Sequence, residues 1–100
     1  MEYKLRYLPT ITQDMIDADE YMSETSPDMA RRFFVMLDEK LLKLQSTPFM
    51  YQVYPEYPIY RRIVIMDYLV FYCVDEEKCT VDVHRIINSK MLIVKQLVET

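Results

Sequence analysis

Tyr60-Arg-Arg-Ile-Val-Ile-Met66, Asp67, Tyr68-Leu-Val-Phe-Tyr-Cys-Val74, Asp75-Glu-Glu-Lys78 and Cys79-Thr-Val-Asp-Val-His-Arg-Ile-Ile87 follow one another without interruption. β-Branched and aromatic residues fill the three long runs, and short charged breaks separate them, which predicts three strands joined by hairpin turns. The middle run is apolar on both alternations. Leu69, Phe71 and Cys73 share one, and Tyr68, Val70, Tyr72 and Val74 share the other. A strand of that kind is covered on both faces or lies centrally in a sheet. The pattern predicts an antiparallel meander with Tyr68–Val74 in the middle.

Working back toward the N-terminus, Phe49–Ile59 carries three tyrosines with Pro55 and Pro58. The prolines exclude a helix and disfavour a central strand. This loop either covers the sheet or presents its rings to a ligand. Ser26-Pro27 before it is a strong helix start, a hydroxyl cap followed by proline at the first helical position. Ala30, Phe33, Phe34, Leu37, Leu41 and Leu44 then form one stripe, so a helix runs to about Gln45. An earlier helix starts at Thr10 or Thr12, with capping-box spacing between Thr10 and Gln13. Ile11, Met15, Ala18 and Met22 make its buried stripe. Asp14, Asp17, Asp19, Glu20 and Glu24 make the other side, either a solvated face or a docking face for a basic partner. Tyr3–Leu8 alternates like a half-buried strand and ends at Pro9. After the meander, Asn88-Ser89 caps a last helix from Lys90 to about Glu99. The order is β-α-α-β-β-β with a C-terminal helix. This is an α+β fold, an antiparallel helical hairpin packed on a small, mainly antiparallel sheet.

One hundred residues make a single domain, 1–100. No apolar run approaches the roughly 20 residues of a membrane span, and the N-terminus does not read as a secretory signal, so a cytoplasmic location is expected. The chain has no glycine, which removes the P-loop, the dinucleotide fingerprint and the nucleophile elbow. Cys73 and Cys79 are expected as free thiols, and with a single histidine the chain offers too few ligands nearby for zinc. Neither cofactor nor metal is expected. A two-residue turn at Glu76-Glu77 points the two thiols to opposite faces, and a three-residue turn sets them opposite each other. Net charge is −4, which counts against non-specific nucleic-acid binding. Residues 1–30 hold seven acids and two bases, whereas residues 31–50 hold four bases and two acids.

Arg61 and Arg62 are adjacent and split to opposite faces of their strand. They are either ion-paired surface groups or a grip on a phosphate or an acidic partner. His84 and Arg85 split likewise, and strict alternation puts His84 on one face with Asp82 and Ile86. His84 is either a structural hydrogen-bonding group or a general base. Lys90 extends that basic end.

The ordered set of segments resembles the RelE/ParE superfamily of toxins from type II toxin–antitoxin (plasmid stabilisation) modules. The resemblance rests on Tyr3-Lys-Leu-Arg-Tyr-Leu8 leading into two helices, Leu44-Gln-Ser-Thr-Pro-Phe49, Arg61-Arg62-Ile63-Val64, Tyr68–Asp75 and Val81–Ile87. It implies a bacterial toxin that arrests growth and is silenced in a hetero-oligomer with a cognate antitoxin. The RelE-like branch cuts mRNA on the ribosome, using an arginine early in the central strand and a histidine or tyrosine after the last strand. Here those positions are Leu69, Ile87 and Asn88, which removes the cation and the general acid. The central strand is closer to the ParE-like branch, whose target is DNA gyrase. Ribosome-dependent mRNA cleavage and a catalytically inactive co-repressor are the alternatives. Arg85 matches the family's arginine in the last strand, and the candidate catalytic or contact residues are Arg85, Arg62, Arg61 and His84.

Overall fold

The computed structural model describes residues 2–91. Its elements are β1 (Lys4–Tyr7), α1 (Thr10–Thr25), α2 (Pro27–Lys43), β2 (Arg61–Ile65), β3 (Tyr68–Asp75) and β4 (Thr80–Asn88). The expected C-terminal helix, Lys90 to Glu99, lies outside the described residues from 92 onward. The sheet order is β1-β4-β3-β2. β2, β3 and β4 form the expected antiparallel meander. β1 adds in parallel beside β4, pairing Lys4 with Thr80 through Tyr7 with Val83. β4 is therefore an interior strand over its first half.

The two alternations of β3 divide the core. Tyr68, Val70 and Tyr72 join Val81, Val83 and Ile86 under the helices, whose contribution includes Ile11, Ala18, Met22, Phe33, Leu37 and Leu41. Leu69 and Phe71 face the other way and join Ile87, Tyr54 and Tyr60, with Cys73 packed against them. The Phe49–Ile59 loop thus covers part of the second face. Tyr54 stacks edge-on against Phe71 at 5.0 Å and Tyr60 does so at 6.2 Å. Short bonds pin the loop: Tyr54 N–H donates to Tyr60 C=O at 2.8 Å, and Arg62 N–H to Gln52 C=O at 3.2 Å. On the helix face, the buried Tyr72 hydroxyl donates to Pro48 C=O at 3.0 Å, and burial pushes that phenol up to about 12.

α2 starts as the sequence indicates, with the Ser26 hydroxyl accepting from Met29 N–H and Pro27 opening the helix. It ends at Lys43 rather than near Gln45. α1 starts at Thr10, one of the two expected positions, but without the expected capping box. Its N-cap is Pro9, and no side chain caps it. The Thr10 hydroxyl is drawn away to donate to His84 C=O at 2.9 Å.

Tight turns in a chain without glycine place ordinary residues in the left-handed region. Met66 sits at φ 53° in the two-residue β2–β3 turn, and Cys79 at φ 54° before β4. Asp75 pairs with Thr80, so the β3–β4 turn holds the four residues Glu76–Cys79. This is neither of the turns considered from sequence, and Cys79 falls outside the ladder while Cys73 pairs with Asp82. The two cysteines are not joined in a disulfide. A left-handed L-residue costs about 1–2 kcal/mol. Met66→Gly and Cys79→Gly are therefore expected to leave stability unchanged or raise it by about 0.5–1 kcal/mol, whereas Val64→Gly in mid-strand lowers it by about 1 kcal/mol. Urea midpoints of the three variants check this.

Candidate functional site

β1 accompanies β4 only as far as Val83. Beyond that point the outer edge of β4 needs other partners, because a buried N–H or C=O left unpaired is costly. Leu8 N–H donates to Val83 C=O at 3.1 Å, and Thr10 supplies the next bond, to His84 C=O. Asp14 supplies the third: its Oδ2 accepts Ile86 N–H at 2.9 Å. The start of α1 thus replaces a missing strand.

The same carboxylate holds Arg85. Nε donates to Oδ2 at 2.7 Å and Nη2 to Oδ1 at 3.1 Å, a bidentate pair. The two side chains keep only 16% and 10% of their exposure. Asp14 therefore does not belong to the solvated acidic face on which strict polarity placed it. It sits three residues after Ile11 and four before Ala18, on the buried stripe itself.

A bulge separates the pairs Phe71–Arg85 and Tyr72–Val83, leaving His84 as the extra residue on β4. Alternation slips by one there. Ile86 joins the core under the helices, and does not share a face with Asp82 and His84. His84 turns to the Tyr60 ring, 4.9 Å between centroids, with its Nε2 3.2 Å from the Tyr60 hydroxyl. Burial foremost, then the Arg85 charge, lowers the His84 pKa, while Asp82 opposes both. Asp82 pairs across the strands with Arg6 at 3.5 Å, a contact that leaves its Oδ1 without a hydrogen bond. Cys73, opposite Asp82, has its thiol pushed up to about 11, chiefly by burial.

Arg61 and Arg62 split to opposite faces as expected, but neither is ion-paired among the described residues. Arg61 donates to Tyr51 C=O at 2.7 Å and lies 5.0 Å over the Phe49 ring. Arg62 lies 5.3 Å over Tyr54. Register sets Arg62, Phe71 and Arg85 in one row across β2, β3 and β4, roughly 10 Å from end to end at the usual strand spacing. The three arginines do not share a rim: Arg61 ties down the loop, Arg85 ties down α1, and Arg62 lies on the aromatic cover.

A hollow of about 270 Å³ opens between α1 and the end of β4, walled by Asp17, Tyr21, Tyr68, Arg85, Asn88 and Met91 among others. No group of acidic, histidine or cysteine side chains able to hold a metal occurs among the described residues. No helix there is long and apolar enough to cross a membrane.

The family model described as the ParE toxin of the type II toxin–antitoxin system parDE matches residues 5–93. The chain belongs to the ParE toxin family. A solved structure titled the chromosomal ParDE TA system from P. aeruginosa has the same fold. It aligns with a TM-score of 0.68 at 18% identity, over 87% of this chain and 96% of that one. No curated protein matches. In this ParE toxin the matched segment runs from β1 past the end of β4, so it contains the whole Asp14–Arg85 clamp.

Two measurements test the site. Asp14→Ala removes the carboxylate shared by Arg85 and the Ile86 N–H and is expected to cost about 3–5 kcal/mol in chemical denaturation. Asp14→Asn, which keeps an acceptor, costs less. The depressed His84 pKa means that the unfolded chain binds the proton more readily than the folded one. Stability contributed by neutral His84 is thus lost as pH falls through and below the usual 6.5. The melting temperature of the parent should fall more steeply between about pH 7.5 and 5.5 than that of His84→Gln.

Proposed function

We propose that this ParE-family toxin arrests growth by binding DNA gyrase and not by cutting RNA. One observation carries the reading. The positions at which the RelE-like branch holds its cation and its acid or base are packed interior here, with Leu69 at 8%, Ile87 at 6% and Asn88 at 8% exposure. Leu69 and Ile87 lie in the cluster with Tyr54 and Tyr60. A phosphodiester drawn to this face meets an aromatic lid where the cleavage chemistry would need a cation and a proton donor. The charge balance supports the same reading, since a net −4 chain is poorly suited to RNA held through phosphates.

In this reading the named residues divide their work. Arg62, half-buried over Tyr54, presents a planar cation that suits a carboxylate on a protein partner. Arg61, Arg85 and His84 act one step back. They hold the loop, α1 and Tyr60 so that the surface around Arg62 keeps its shape.

Purified gyrase with plasmid DNA, and separately translating ribosomes, decide between targets. The chain is expected to inhibit supercoiling and leave message intact. Arg62→Ala should weaken inhibition about tenfold while costing no more than about 1 kcal/mol of stability, the worth of a half-exposed cation–π contact. Cleavage of message at ribosomal A-sites overturns the proposal.

A further inference from the structure

α1 contains five acids, Asp14, Asp17, Asp19, Glu20 and Glu24, and no basic residue. The clamp consumes Asp14. The other four are exposed, and among the described residues none forms an ion pair. Beside this helix lies the 270 Å³ hollow, its mouth flanked by Asp17, Tyr21 and Met91. A smaller hollow of about 40 Å³ shares Tyr21 and Tyr68 with it and is completed by Met22, Met29, Met66 and Asp67. The two hollows adjoin at these tyrosines, a groove beside α1 with methionines in its walls and with Asp17 and Asp67 at its side, Asp67 paired with Lys90 at 4.0 Å. Tyr21 and Met91 each remain about half exposed, at 51% and 56%.

The geometry points to this groove as the seat of the cognate antitoxin, through a segment that places apolar side chains against Tyr21, Tyr68 and the methionines and flanks them with lysine or arginine facing Asp17 and its neighbours. The inference rests on the toxin–antitoxin reading and names the partner's chemistry. Tyrosine supplies rigid contact area, and methionine adapts to whatever side chain enters. Asp17 in the wall, with the other exposed acids of α1, none of them ion-paired among the described residues, repels an acidic segment and speeds the approach of a basic one. Arg85 lines the hollow too, but Asp14 neutralises its charge, and Lys90 and Asp67 offset each other at 4.0 Å, so Asp17 and the exposed acids of α1 leave this side negative.

The test uses the full-length chain and the purified product of the adjoining reading frame, with affinity measured by calorimetry. Asp17→Lys and Tyr21→Ala are each expected to weaken binding about tenfold or more. Asp19→Lys makes the same charge change on α1 away from the groove walls and should leave affinity within about threefold. Wild-type binding should weaken as salt rises from about 50 to 500 mM. Unchanged affinity in both groove variants overturns the proposal. If their melting temperatures fall at the same time, the groove belongs to the chain's own residues 92–100. If the wild type alone forms a dimer, it belongs to a second copy. Growth arrest by the wild-type chain expressed alone tests the toxin reading separately, so the two failures are distinguishable.

Discussion

One carboxylate ties the helices to the sheet. Asp14 accepts the Ile86 amide and both donors of the Arg85 fork, so three charge-assisted or buried bonds converge on two oxygens. Without it, the second half of β4 loses a partner on its outer edge and a nearly buried cation loses this carboxylate, and either is costly in a low-dielectric setting. The pair is not a surface ornament of the median kind, worth almost nothing. Its value lies in position: it lets a four-residue β1 stop at Tyr7 and turn directly into a helix, because that helix carries the next edge partners with it. The hollow beside α1 borders the same pair, with Asp14 and Arg85 both among its walls.

β3 works the other way, through burial on both faces. A strand with Val70 and Tyr72 under helices and Leu69 and Phe71 under a loop cannot slip by one residue without exchanging two complete apolar sets. That fixes the register of its neighbours. The aromatic loop is held by backbone bonds to residues 60 and 62 and by Arg61 on the Tyr51 carbonyl, so the second face is covered without a second layer of helices. The same cover removes the sheet face from any chemistry that needs exposed cations at positions 69 and 87.

Much of this was legible in the residues. The double alternation of Tyr68–Val74 and the Ser26-Pro27 start of α2 follow from period and turn chemistry, whereas Pro55 and Pro58 exclude a helix from the loop without deciding that it covers the sheet. Two features did not, and both have a trace in the sequence. Charge alone puts Asp14 on the polar face, although its spacing from Ile11 and Ala18 puts it on the apolar stripe. An acid at such a position implies a buried cation elsewhere, and Arg85 is that cation. The bulge at His84 was hidden by strict alternation, yet the inward residues run Val81, Val83, Ile86, changing from odd to even. Such a change of parity inside one strand is what a bulge requires. The turns were less accessible, because without glycine nothing marks Met66 and Cys79 as left-handed.

The charge segregation along the chain gains its meaning from these placements. Acids on α1 and bases early in α2 would be unremarkable if all were solvated and paired. Instead, the arginines of the sheet are turned inward, onto Asp14, the Tyr51 carbonyl and the Tyr54 ring, while the acids of α1 face outward with no ion-pair partner among the described residues. With Arg85 neutralised by Asp14 and the exposed acids of α1 without an ion pair among the described residues, the outer field on the α1 side is negative. The partner best suited to quench it is basic, and a basic segment is also the kind that stays extended and soluble until it meets such a surface. A clamp that began as a requirement of strand pairing therefore also determines which sign of charge the protein offers on that side.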